Sequence, residues 1–214
     1  MKIYDLTHKT ENNMTAYSLE EKPDIKNLFT IKKDGFNVTS LGLSSHLGTH
    51  IDVPLHMIEN GKSICDLPIE SFFGKGKCIS FNELQNIDFI KNEIKNIDFL
   101  LIYTGWDKFW NEENYFKNYP VIPDEIISKI ADSNLKGIGI DCISPDSYNS
   151  QNMEKHKKLL ENNKIIIENL CSLETVLGKD FYFSFLLIQI LIFSKYFLLC
   201  REFFLIHFSH RHIV

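Results

Sequence analysis

Arginine is absent from the first 200 residues of this 214-residue chain. The chain also lacks a Cys-x-x-Cys pair, and its five cysteines (65, 78, 142, 171 and 200) are widely spaced and odd in number. That argues against a thiolate zinc cage or a disulfide framework, and favours reduced thiols in a cytoplasmic setting. A basic excess is missing as well. At a net charge of −5 there is no electrostatic footprint for nucleic acid, so no nucleic-acid partner is expected. No apolar run follows Met1 that could serve as a signal peptide. Internal repeats and low-complexity bias are absent too. The 44% apolar and 24% charged residues are those of a folded protein, and the length suits one domain with at most an appendage.

Glycine, proline and asparagine all vanish after residue 180, although asparagine occurs 18 times before it. Eight of the 17 phenylalanines fall in the last 34 residues, and both arginines, Arg201 and Arg211, lie there. The organisation expected is therefore a domain over 1–180 and an atypical apolar tail over 181–214. From Phe181 to Cys200 the only charge is Lys195, and about 20 such residues could span a bilayer. Three readings of the tail stand side by side: buried core, a membrane-associated segment, or a stretch foreign to the domain, as after a shifted reading frame. The third is preferred, and membrane contact by the tail is not.

Within 1–180 the pattern alternates between strand and helix. Strands are expected at Lys2–Leu6, Leu28–Ile31, Phe36–Val53 (a half-buried strand or strand pair, from its period-two alternation), Gly76–Phe81 (after a Gly74-Lys75-Gly76 turn), Phe99–Tyr103, Ile138–Ile140 and Ile165–Ile167. Helices are expected at Asp88–Ile94, Pro123–Ile130 and Asn152–Asn162. Interleaving of this kind predicts an α/β or α+β class.

The chemistry concentrates in Ser45-His46-Leu47-Gly48-Thr49-His50-Ile51-Asp52-Val53-Pro54-Leu55-His56, where three of the eight histidines and one aspartate share 11 residues. All four sit at even positions. On an extended chain, residues two apart share a face. His46, His50 and Asp52, with His56 further along, would then project one way, and Leu47, Ile51, Val53 and Leu55 the other. A helix is disfavoured by Gly48, Pro54 and the β-branched Thr49, Ile51 and Val53, and it would scatter the same side chains. Imidazole and carboxylate together suit Zn²⁺ or a neighbour such as Mn²⁺. Taken alone, His156 on the apolar face of its helix reads as a core histidine, and Glu168 reads as a surface strand end.

The stretch His46-x-Gly48-Thr49-His50-x-Asp52-x-Pro54-x-His56 resembles the signature of the cyclase family of metal-dependent hydrolases, whose members include bacterial kynurenine formamidases and isatin hydrolases. Ile3-Tyr4-Asp5-Leu6-Thr7-His8, Thr104-Gly105-Trp106, Gly139-Ile140-Asp141 with Ser144 and Asp146, and His156 with Ile167-Glu168-Asn169-Leu170 resemble further family segments in order. The resemblance covers about residues 1–185. It implies a compact α/β domain with a β-barrel-like mixed sheet core flanked by helices, in a homo-oligomer. It also implies that His46, His50 and Asp52 bind one metal, and that Asp52 reaches a second held by His156 and Glu168. The cofactor would be one or two Zn²⁺ ions, with Mn²⁺ as the alternative. His56 would be the catalytic proton donor and acceptor, and Tyr17 would stack on the substrate. The implied reaction is hydrolysis of a small-molecule aryl formamide, N-formyl-kynurenine first, by attack of metal-bound hydroxide. Alternatives are a cyclic-amide (isatin-type) hydrolase, or an inactive metal-binding protein with a disrupted C-terminus.

Two departures matter. Tyr17-Ser18-Leu19-Glu20 stands where the family has an aromatic and then Pro-Gly-Asp. After Phe185 nothing resembles the usual final strand with its Pro-x-Arg element, which predicts an unpaired strand edge.

Overall fold

The computed structural model describes residues 2–192 and 195–207. In chain order the regular elements are β1 (Lys2–Asp5), β2 (Asp24–Phe29), α1 (Ile31–Asp34), β3 (Val38–Gly42), β4 (His50–Asp52), β5 (Phe73–Ser80), α2 (Ile87–Glu93), β6 (Phe99–Tyr103), α3 (Asp124–Ala131), β7 (Gly137–Ile140), α4 (Glu154–Glu161), β8 (Ile165–Glu168), β9 (Asp180–Ile192) and β10 (Lys195–His207). Eight strands form one mixed sheet in the order β1-β10-β9-β5-β6-β7-β8-β4, while β2 and β3 pair as a separate hairpin.

The centre of the sheet is parallel, from β5 through β8. Parallel strands are covered on both faces, so their sequences are apolar throughout rather than alternating. The first four residues of β6 and all of β7 and β8 are buried. Successive side chains divide between two cores. Phe99, Leu101, Ile165 and Ile167 enter one with Leu6, Phe72 and Phe183. Leu100, Ile102, Ile138, Ile140 and Ile166 enter the other, beneath Ile126, Ile127 and Ile130 of α3 and Leu159 and Leu160 of α4. The first core is enclosed by curvature of the sheet. Past β1, Thr7 bridges Leu170, and Cys171 N–H donates to Leu6 O at 2.9 Å, so the first strand closes back onto the end of β8. This is the barrel-like α/β arrangement expected.

Three local expectations need correction. Gly74 and Gly76 lie within β5 and make no turn. A Cβ at Gly76 would come within 2.2 Å of the Phe181 ring, so close packing requires a glycine there. Ile31 opens the short α1 and does not end a strand. The alternation from Phe36 to Val53 also does not mark one strand pair. Leu41 belongs to the β2–β3 hairpin and is 46% exposed.

The tail is paired where an open edge was expected. β9 runs antiparallel to β5 and to β10, and β10 runs antiparallel to β1. Phe181, Phe183 and Phe185 point alternately into the first core and are buried there. The expected division after residue 180 therefore falls at the first residue of β9. Residues 193–194 and 208–214 of the expected tail, Arg211 among them, lie outside the described residues. Among the described residues, no helix is long and apolar enough to cross a membrane.

Phe183 is fully buried against Phe99, Phe181 and Phe185. Phe183→Ala is expected to lower unfolding stability by roughly 3–5 kcal/mol through lost burial and a cavity. Urea titration of both proteins measures it, and a loss below about 1 kcal/mol would mean that the start of β9 does not belong to the core.

Candidate metal centre

The shortest strand of the sheet organises the site. β4 is three residues long and pairs antiparallel with β8, with His50 opposite Glu168 and Asp52 opposite Ile166. His50 and Asp52 thus share a face by strand alternation, and the register brings Glu168 to that same face. His50 Nε2 lies 3.4 Å from Glu168 Oε2 and 3.8 Å from Asp52 Oδ1.

His46 reaches the group by a different route from the extended one expected. Residues 45–49 form a turn, and Gly48 sits in the left-handed region at φ +65°. A side chain would be strained there, and a Cβ would also lie 2.8 Å from Met14 Cε. The turn folds His46 back over β4, with its Nδ1 3.1 Å from both Asp52 Oδ1 and His50 Nε2. His56 is likewise not on the strand. Pro54 starts a short 3₁₀ turn, Pro54–His56, that carries the imidazole to 4.3 Å from the His46 ring and 6.1 Å from the His156 ring, centroid to centroid.

On the same face, His156 on α4 meets Glu168 at the end of β8. His156 Nε2 is 3.0 Å from Glu168 Oε1 and 3.6 Å from Asp52 Oδ2. Two sets of donor atoms result, His46–His50–Asp52 and Asp52–His156–Glu168, each within 4.8 Å of one another and sharing Asp52. The geometry brings together all five residues expected as ligands. Both oxygens of Asp52 are buried without a well-directed hydrogen-bond donor, their neighbours being the imidazole nitrogens of His46 at 3.1 Å and His156 at 3.6 Å. A buried carboxylate in that state needs a charge, and a divalent cation in either set would supply one.

Ring orientation is fixed by the outer nitrogens. His50 Nδ1 donates to Gly48 O at 2.9 Å, leaving Nε2 to face Asp52 and Glu168. His156 Nδ1 donates to Asp146 Oδ2 at 2.7 Å. Asp146 also accepts from the backbone N–H groups of Lys155 and His156, both at 3.0 Å, so it ties the first turn of α4 to the loop after β7. Partners of this kind set the tautomer of a ligating histidine. The sequence offered Asp146 only within the family resemblance. Spacing alone carries no signal for it, because its role depends on a loop and a helix meeting. Asn169 is a second such residue: its Nδ2 donates to Gly48 O at 3.0 Å, and its Oδ1 accepts from Tyr115 OH at 2.7 Å. Asp141, by contrast, holds the turn after β6, accepting from Thr104 N–H, Thr104 Oγ1 and Gly105 N–H.

Burial and charge pull against each other throughout. Burial pushes His50 down to about 4 and Glu168 up to about 7. Burial also opposes charge on His156, yet Asp146, Asp52 and Glu168 prevail and raise it to about 12. Asp52 is held well below the usual carboxylate range, with its own burial overcome by His156 and His46. Burial disfavours a charged His46 too, but Asp52 outweighs it and the pKa rises, with Glu168 and Glu21 adding. His56 is lowered by burial, against the pull of Asp52.

These groups form the floor of a cavity of about 260 Å³, whose walls include Tyr17, Trp110, Tyr119, Ser144, Tyr148 and Met153. Tyr17 lies at the mouth, 58% exposed, with its ring 5.9 Å from that of Tyr148.

Comparison with known proteins shows what the chain is similar to. The Cyclase family model, described as "Putative cyclase", matches residues 4–147. An uncharacterised protein of Methanocaldococcus jannaschii is 40% identical over 185 residues, covering 86% of this chain and 89% of its own length. A kynurenine formamidase of Bacillus cereus is 25% identical over 172 residues, covering 78% and 80%. Among solved structures, an isatin hydrolase bound to the product analogue thioisatinate superposes with a TM-score of 0.80 at 20% identity, covering 96% of this chain and 92% of that one. At that identity the likeness concerns the fold.

Behind the cavity wall, His8 stacks on Trp110, ring centroids 3.9 Å apart, with its Nε2 buried and unpartnered. Burial lowers its pKa to about 4 from 6.5. The unfolded chain therefore takes up a proton that the folded chain refuses, so stability is full above pH 6.5 and falls toward pH 4. Between pH 7.5 and 4.5 this group should remove about 2.5 kcal/mol. His8→Phe keeps a ring on Trp110 and should lack that share of the acid loss. Urea unfolding of both proteins at the two pH values tests it, and equal losses would clear His8 of the effect.

Proposed function

The chain belongs to the Cyclase family, and from that premise we propose that it is a metal-dependent amide hydrolase cleaving the N-formyl group from an aryl amine, with N-formyl-kynurenine the first substrate to try. The observation that carries this reading is the orphaned Asp52 carboxylate between two sets of ligands. We assign His46, His50 and Asp52 to one cation and Asp52, His156 and Glu168 to a second. Zn²⁺ is the ion of choice and Mn²⁺ the alternative, since the donors are imidazole and carboxylate. A cation of this kind lowers the pKa of water from 15.7 to about 7 and polarises a carbonyl oxygen.

The remaining work falls to side chains of the cavity. His56 lines it and is lowered by burial, so at neutral pH it is a neutral base ready to take a proton. It would return that proton to the departing aryl nitrogen, as general acid–base catalysis requires. Tyr17, Tyr148 and Trp110 offer faces for an aromatic ring. Asp146 and Gly48 O keep His156 and His50 aimed inward. The free thiols of Cys65, Cys78, Cys142 and Cys171 are in keeping with a reducing, cytoplasmic setting. The isatin-type alternative rests on likeness of fold, and nothing in the cavity favours a cyclic amide over an open one.

Two measurements bear on these roles. His56→Ala should retain bound metal by elemental analysis while formamidase turnover falls 10²- to 10⁴-fold; unchanged turnover would remove His56 from the chemistry. Asp146→Asn should weaken metal binding 10- to 100-fold in a chelator competition, because His156 loses the acceptor that orients it. Affinity equal to that of the unaltered protein would leave Asp146 with only its contacts to α4.

A further inference from the structure

The cavity carries one charged side chain that the proposed chemistry does not use. Glu21 lines it, and Glu21 Oε2 is buried without a hydrogen-bond partner. The placement is built into the fold. Asn12 Nδ2 donates to Ile25 O at 2.9 Å and Ile25 N–H donates to Asn12 Oδ1 at 2.7 Å, which closes the loop at its base. Thr15 N–H donates to Asn111 Oδ1 at 2.7 Å, and Asn111 N–H donates to Thr15 Oγ1 at 2.8 Å, tying the same loop to the far wall. Between these clamps the chain turns, with Glu21 N–H reaching Ser18 O at 3.3 Å. A carboxylate oxygen held in a cavity without a donor costs free energy unless a ligand supplies the donor.

The rest of the lining narrows what that ligand carries. Among the described residues no lysine or arginine lines the cavity; apart from Glu21, the ligand set and His56, its polar side-chain groups are hydroxyls, the Asn169 amide and the Trp110 indole N–H. Away from the cations assigned above and the imidazoles that would hold them, a substrate carboxylate would meet no positive side chain there. A substrate ammonium would meet Glu21, and a charge-assisted contact is about twice as strong as a neutral one.

We propose that Glu21 is a specificity-determining residue that selects substrates bearing an ammonium group. The proposal rests on the formamide reading above and names its substrate class: aryl formamides with a cationic amine a few bonds from the ring. N-formyl-kynurenine carries such an α-ammonium group, beside an α-carboxylate for which the lining offers no lysine or arginine, whereas formanilide carries neither.

A matched pair of probes tests this with the metal-loaded protein. 2′-Formamido-3-aminopropiophenone carries the ammonium, and 2′-formamidopropiophenone is the same scaffold without it. The unaltered protein should favour the first by tenfold or more in kcat/KM. Glu21→Gln, which keeps the shape and removes the charge, should bring that ratio below about threefold. Glu20→Gln makes the same charge change at an exposed neighbour and should preserve the ratio. A ratio near one in the unaltered protein, or a tenfold ratio surviving in Glu21→Gln, overturns the proposal while cleavage of the neutral probe leaves the formamide reading standing. If neither probe is cleaved, the formamide reading falls, and affinities of the two deformylated amines decide about Glu21. Tighter binding of the ammonium-bearing amine, lost tenfold in Glu21→Gln, supports it, and equal affinities refute it.

Discussion

The antiparallel pairing of β4 with β8 is the constraint on which the site depends, because it buries Asp52 and Glu168 on one face beside three imidazoles. Strand side chains alternate, so a slip of one residue would turn His50 and Asp52 to the opposite side of the sheet and bring Ile51 into their place. Ile51 prevents that slip. It is buried in the core enclosed by the sheet, opposite Ile167, so the apolar residue between the two ligands fixes the register that exposes them to each other. The side chains that pack and those that react thus alternate along the same three residues.

Concentrating carboxylates in this way works against stability. Ionised groups taken out of water are costly, and attraction between neighbours offsets the loss only with good geometry. Here the offset is visible as opposed shifts: Glu168 rises with burial, whereas Asp52 stays low because His156 and His46 stand beside it. His156 in turn is held by Asp146 on its outer nitrogen. The cluster is therefore a chain of mutual support, Asp146 to His156 to Glu168 and Asp52, then to His46 and His50. If these residues hold the proposed cation, its binding would be coupled to folding, since it would offset the burial of the carboxylates.

Much of the scaffold was legible in the residues. Phe99–Tyr103 and Ile138–Ile140 read as buried strands because a parallel sheet covered on both faces leaves no polar alternation to confuse the pattern. Helices at 124–131 and 154–161 followed from apolar spacing. His50 and Asp52 were legible from the two-residue period. His46 and His56 were assigned to that same period and reach the site by other means, a turn through Gly48 and a 3₁₀ turn at Pro54. The glycine and proline that argued against a helix were also the signs of those turns. At the end of the chain, a Phe-rich run unlike the domain before it in composition supplies alternate core side chains at Phe181, Phe183 and Phe185. Asp146, Asn169 and Glu21 were out of reach of periodicity, because each acts through partners distant in sequence.

That last group shows how the labour is divided. The ligand set stands on β4, β8 and α4, together with the turn at Gly48, all tied to the buried sheet, where positions are held by packing. The cavity walls come largely from loops, at residues 15–21 and 143–153, which alter more readily without disturbing a core. The departure from the family pattern at Tyr17-Ser18-Leu19-Glu20 falls in the first of these loops, and the clamps at Asn12–Ile25 and Thr15–Asn111 hold that loop against the cavity despite its changed sequence. On the proposed reading, a chain built in this way would keep its hydrolytic centre fixed by sheet register while the loop set which amide reached it. Differences in substrate between relatives of one fold are then to be sought at positions such as Glu21, and shared chemistry at Asp52.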